Sequence, residues 1–180
     1  AGVGSDPLIQ DDFSTSPIKH GGVLITEGVP GFPFHDVGNS RIQLTTDNGA
    51  VQYNELSYSD SSILSAIRAS TEWYTKWTLN ITDTSGTDGQ GVMCFYSPYA
   101  PSATTRIISA NQAYGFVFRT QIGNIDVWFN GTRIKIFSGV FPSLNLNQEY
   151  IIESRMAFVG TTSTILTFLI DNTVVGTFTD

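Results

Sequence analysis

The chain has 180 residues, 14% of them charged and 41% hydrophobic, and a formal net charge of -7. A single domain of that length buries roughly 70% of the surface its unfolded chain exposes, so neither a disulfide nor a metal is needed for stability. The acidic balance, without any cluster of Lys or Arg, argues against nucleic acid and anionic membrane as partners, since both are held through a basic patch. Charged residues are few while Ser, Thr, Asn and Gly are plentiful, a balance that suits an extracellular or virion-surface protein.

Residues 1–10, with Gly2, Gly4 and Pro7, read as a linker, and 11–180 as one domain. Ala1–Leu8 lacks a charged-then-apolar signal pattern, and no segment approaches the ~18 consecutive apolar residues of a membrane span, so no membrane insertion is expected. Short apolar runs at Val23–Ile25 and Ile42–Leu44 are separated by Gly28, Pro30, Gly31 and Pro33, and Asp47-Asn48-Gly49 signals a turn before a returning strand at Ala50–Tyr53. From Ile63 to Ile81 the odd positions are broadly apolar, including Trp73 and Trp77, while Arg68, Tyr74, Lys76 and Asn80 hold the even ones. That alternation predicts one long strand with a dry face and a wet face, although Ser62–Ser70 also has the propensity of a short helix.

Asp83–Gly91 is a polar turn and Val92–Tyr96 a further strand, in which the lone Cys94 keeps company with apolar neighbours as an inert thiol. The loop Ser97–Asn111, with Tyr99 and Arg106, is longer than a plain connection needs. Beyond it Tyr114, Phe116 and Phe118, then Ile125, Val127 and Phe129, then Leu166, Phe168 and Ile170 recur at every second position. Asn130-Gly131 and Asp171-Asn172 lie where type I′ turns would fold neighbouring strands back antiparallel. Between these runs, Glu149–Phe158 places Tyr150, Ile152 and Phe158 inward and Glu149, Glu153 and Arg155 outward. The pattern predicts an all-β, two-sheet antiparallel jelly-roll sandwich, with more strands than an immunoglobulin-type module and without its Cys, Trp, Cys spacing.

Asp11-Asp12-Phe13-Ser14, Tyr114-Gly115-Phe116-Val117-Phe118 with Ile125-Asp126-Val127-Trp128-Phe129-Asn130-Gly131, and the closing stretch Phe168–Phe178 resemble the concanavalin A-like lectin and glucanase superfamily, including laminin-G-like and carbohydrate-binding modules. The resemblance covers the chain from about Asp11 onward and implies a twisted jelly roll whose concave sheet or edge loops hold a sugar. Glucan hydrolases of that group carry a Glu, Asp, Glu cluster on one strand face. Here Glu149, Ile151, Glu153 lacks the central acid, and its two carboxylates stand about 13 Å apart along an extended strand, against ~5 Å for retaining cleavage. No enzyme activity is therefore expected.

The two His residues show no zinc spacing. Asp11 and Asp12 offer hard oxygens for a structural calcium, with a turn as the plainer reading. For binding, Trp128 is the most informative residue: alternation sets it with Asp126 and Asn130 opposite in phase to Ile125, Val127 and Phe129, so its ring faces outward unless it covers a second apolar layer. Arg119 joins it if Thr120–Asn124 closes a hairpin. Tyr74, Arg68, Tyr99 and Arg106 complete the candidate set. The expectation is a lectin-like, non-catalytic module whose partner is a polysaccharide or glycan, suited to repeated display on a phage tail or baseplate, with docking onto other virion or cell-surface proteins as the first alternative and a glycoside hydrolase as the second.

Overall fold

The computed structural model describes residues 9–27, 34–43, 53–58, 60–81, 91–96, 114–119, 122–129, 132–140, 144–160 and 162–180. The turns at Asp47-Asn48-Gly49 and Asn130-Gly131, the loop Ser97–Asn111 and the side chain of Cys94 lie outside that set. The chain divides into two compact units, Ala1–Ala69 with Ala100–Thr104 and Ser70–Tyr99 with Thr105–Asp180.

In the first unit β1 (Val23–Glu27) pairs antiparallel with β4 (Tyr53–Ser57), and β2 (Phe34–Asp36) with β3 (Arg41–Gln43). The expected long strand from Ile63 does not form at its start: Ser61–Ala69 is the helix α1. Ile63, Ala66 and Ile67 satisfy a helical period as well as an alternating one, and the choice is made by Asp60, whose Oδ1 accepts the Ser62 amide at 2.8 Å and the Ile63 amide at 3.4 Å as an N-cap. Ile63 is buried by that helix.

Tyr58 follows β4 and packs on Gly22, where a Cβ would come within 2.9 Å of the tyrosine ring and 2.6 Å of the Ile18 side chain, so the close approach requires glycine. Burial, with the Asp11 carboxylate adding to it, pushes the Tyr58 phenol up to about 12. The raised value favours the neutral form, so its contribution to stability is complete below the unfolded value near 10 and is lost as pH rises through about 12. In a near-ultraviolet absorbance titration, a late-ionising phenol should be present that vanishes in Tyr58→Phe. Titration of all seven tyrosines in an ordinary wave would refute this.

Among the described residues the second unit is all-β. Its strands are β5 (Glu72–Asn80), β6 (Gly91–Tyr96), β7 (Tyr114–Arg119), β8 (Asn124–Phe129), β9 (Thr132–Phe137), β10 (Glu149–Val159), β11 (Ser163–Ile170) and β12 (Thr173–Thr179). They form two four-stranded antiparallel sheets, ordered β6-β7-β8-β9 and β12-β11-β10-β5. The turn expected at Asp171-Asn172 is present, with φ of 48° and 64° and Ile170 paired to Thr173, the double positive φ of a type I′ connection.

The inward faces of both sheets supply one apolar core. Phe116 and Phe118 of β7 and Ile125 and Val127 of β8 meet Ile152 and Met156 of β10 and Leu166, Phe168 and Ile170 of β11. Trp77 and Leu79 pack against it, as the phase of β5 predicts, and the indole meets Phe118 edge-on at 6.3 Å. Ser154 enters the core phase too, and its hydroxyl is satisfied at 2.7 Å by Thr75 directly across on β5.

Two outward–inward assignments on β10 need correction. Phe158 was expected inside but is exposed. It lies at the end of the strand opposite Thr164, one residue past the last pair with β5, Ala157–Glu72. Glu153 was expected in solvent but is only 5% exposed. It sits between Lys76 and the buried Leu169 on the adjoining strands and accepts from Arg155 Nε at 2.6 Å, an ion pair that makes its burial tolerable.

Candidate functional site

The β7–β8 hairpin closes as the sequence suggests, with Arg119 paired to Asn124 and Gly123 at φ 67° in the turn. Its far side is pinned to the segment after β9: Gly139 N–H donates to Asn124 Oδ1 at 2.8 Å, and Val140 N–H to the Gly123 carbonyl at 3.0 Å. These contacts fix the positions from which Arg119, Asp126 and Trp128 project opposite to the core phase of Phe118, Ile125 and Val127.

Arg119 Nε donates to Asp126 Oδ2 at 2.8 Å, and Arg133 Nη1 approaches the same oxygen at 3.4 Å. Asp126 is 1% exposed, whereas the side chains of Arg119 and Arg133 are 27% and 43% exposed. One buried carboxylate thus holds two guanidinium groups that reach solvent. With Phe129 paired to Thr132, Arg133 falls opposite Trp128, and the register shifts only beyond that pair, between Trp128 and Val127. Its guanidinium carbon lies 5.9 Å from the centre of the indole, within cation–π range.

Trp128 is half-buried and stands outside the apolar core cluster, so its ring does not enter the space between the two sheets. Its Nε1 is nonetheless covered and has no acceptor among the described residues. The outward phase expected for Asp126 therefore does not make it a solvent-facing group: it is a buried anchor, because the two guanidinium groups cover the carboxylate that bridges them. What reaches solvent beside the indole is cationic.

Sequence reasoning brought Trp128, Asp126 and Arg119 to one place and missed Arg133. The signal for it was present. The turn signal Asn130-Gly131 in the sequence implies a pairing of Phe129 with Thr132, the pairing the structure has, and Trp128 then falls opposite Arg133. Asn130 itself lies outside the described residues, as do Tyr99 and Arg106. Tyr74 is 53% exposed and opposite Arg155 on β5, in the other sheet, so the fold does not bring it to Trp128. Arg68 lies on α1 in the first unit, and its side chain is outside the described set.

No family model, no curated protein and no solved structure matches the chain. The reading of function therefore rests on the residues.

Asp11 and Asp12 serve the chain around them. Asp11 accepts the amides of Phe13 at 2.7 Å and Lys19 at 2.6 Å, while Asp12 accepts from Ser14 Oγ and Lys19 Nζ, both at 2.9 Å. The Lys19 ammonium and Ser14 hold the Asp12 carboxyl well below the usual carboxylate range. Among the described residues no three His, Cys, Asp or Glu side chains gather as a metal site. No helix of the described residues is long and apolar enough to cross a membrane.

In the first unit His20, Asp60, Ser62 and Ile63 line a shallow pocket. The residue types are those of a hydrolytic triad, but the connections differ. The Ser62 hydroxyl donates to Asp60, which is already the helix cap, and His20 Nε2 faces the Gln10 backbone with the carbonyl at 3.1 Å. The imidazole is not hydrogen-bonded to the hydroxyl, which a general base for a serine nucleophile requires.

Proposed function

We propose that the chain is a non-catalytic glycan-binding module, of the jelly-roll type its resemblance to concanavalin A-like domains implies, that attaches a larger particle or a cell-surface protein to a polysaccharide. The observation that carries this reading is the Arg119–Asp126–Arg133 cluster seated against Trp128 on the side of the β6–β9 sheet turned away from the core. Planar donors held rigidly beside an aromatic ring are what sugar hydroxyls and ring faces meet in protein sites. The pairing of β5 with β10, which brackets the whole β6–β9 meander, supports the jelly-roll connection over two independent meanders. Glu149 exposed and Glu153 committed to Arg155 support a binding role over hydrolysis.

The test is retention on a panel of immobilised polysaccharides, including bacterial wall preparations. Trp128→Ala should lower retention about tenfold or more, because the indole holds the Arg133 guanidinium in place. Absence of retention across the panel rejects the proposal.

A second reading, an assembly domain that docks onto other subunits, is favoured by Ile136, which is 41% exposed and directly opposite Asp126. If Trp128→Ala disrupts association in sedimentation while polysaccharide retention persists, assembly is the function.

A further inference from the structure

Charge is divided unevenly between the two sheets of the second unit. Strands β6–β9 carry Arg119, Arg133 and Lys135 against Asp126 alone. The β5 and β10–β12 strands carry Glu72, Glu149 and Glu153 against Lys76 and Arg155. A chain with a net charge of -7 therefore places a positive surplus on the one sheet that bears the indole cluster. The overall field does not attract polyanions from a distance, so whatever this surplus serves is recognised at contact range.

The only carboxylate on those strands is already used. Asp126 takes one nitrogen from each arginine, Nε of Arg119 and Nη1 of Arg133. A guanidinium has five N–H donors in a rigid fork, so each keeps donors beyond its bond to Asp126. The indole sits beneath Arg133 at 5.9 Å, and its own Nε1 is covered. The ring thus positions the guanidinium and does not itself donate to a ligand. Ile136, exposed and opposite Asp126, supplies apolar surface beside the cluster on which the C–H face of a pyranose can rest.

We infer that this cluster selects saccharides bearing a carboxylate, with Arg133 as the principal ligand-contacting residue and Arg119 completing a forked anion site. This deepens the glycan-binding reading and rests on it. A planar carboxylate meets the fork of a guanidinium in a way a hydroxyl pair does not, and the charge-assisted bonds are about twice as strong as neutral ones.

Calorimetric titration with tetragalacturonate and with 3′-sialyllactose, each compared with its methyl ester, tests the inference on the intact chain. At least one free acid should bind about tenfold or more tightly than its ester. Arg133→Gln should abolish that preference, and Arg133→Lys should restore little of it because the fork is lost. Thermal unfolding of both variants should stay close to that of the parent chain, since the Arg133 side chain is 43% exposed. If acid and ester bind alike and Arg133→Gln changes neither, the carboxylate selectivity is wrong while glycan binding stands. If the preference survives Arg133→Gln in a folded protein, the site lies elsewhere and the assignment is overturned. Equal binding of oligoglutamate overturns the saccharide class. Binding to none of these and to no polysaccharide on the panel removes the glycan reading itself.

Discussion

Replacing Phe168 with alanine should destabilise the protein by about 4 kcal/mol, the range found when a fully buried aromatic is truncated in a core that cannot collapse around the space. Phe168 is completely buried. Its ring lies 5.0 Å from Phe116, 5.9 Å from Phe118 and 6.0 Å from Phe137, all in edge-on contact and all from the opposite sheet. Each such pair adds to the burial term, and three of them meet on one side chain. The loss is large beside a total stability of about 5–15 kcal/mol. Urea unfolding should show the midpoint falling with little change in slope, and Phe168→Leu should recover much of the difference. A midpoint shift worth less than about 1.5 kcal/mol would mean that the two sheets do not depend on this contact.

The second large effect belongs to Asp126. Its carboxylate is buried and bridges two guanidinium groups, so Asp126→Ala leaves two like charges facing one another without a counter-ion. Removing one partner of a buried ionic group costs about 3–5 kcal/mol, and ~3 is expected here because both arginines can regain water at their exposed ends. Arg119→Met in the Asp126→Ala background should recover part of the loss, since one of the stranded charges is then gone. Equal losses in the single and double variants, measured by chemical unfolding, would show that the pair is not coupled. The same truncation at Glu153 should be milder, because its partner Arg155 is half in solvent.

The hairpins and the core faces were legible in the sequence because both rest on short-range rules. Asp171-Asn172 tolerates the positive φ that a two-residue turn demands, and Phe116, Phe118, Ile125 and Val127 alternate in step with the pleat. Helix α1 was ambiguous for a physical reason: Ile63, Ala66 and Ile67 fit a helical period while Ile63, Ser65 and Ile67 fit an alternating one. Asp60, followed by two serines, was the cap signal that could decide between them. Periodicity also gives a side chain's direction without giving what lies over it. Hence the outward phases of Asp126 and Glu153 were right and their exposure was not. In each case arginine covers the carboxylate, and a partner across a strand pair is seen only once register is known. For Arg133 that register follows from the Asn130-Gly131 turn signal in the sequence.

The Thr75–Ser154 hydrogen bond joins residues 79 apart in sequence, which has a consequence for biosynthesis. During vectorial translation at about 5–20 residues per second, β5 leaves the ribosome roughly 4–16 s before its neighbour β10 has been made. Throughout that interval the nascent strand carries Trp77 and Leu79 without the chain segment that shelters them, whereas the Arg119–Arg133 constellation is encoded within fifteen positions and can assemble as soon as its hairpins emerge. Yield in a recombinant host should therefore respond to holdase chaperones and slow growth temperature through β5, far from the surface that meets the ligand.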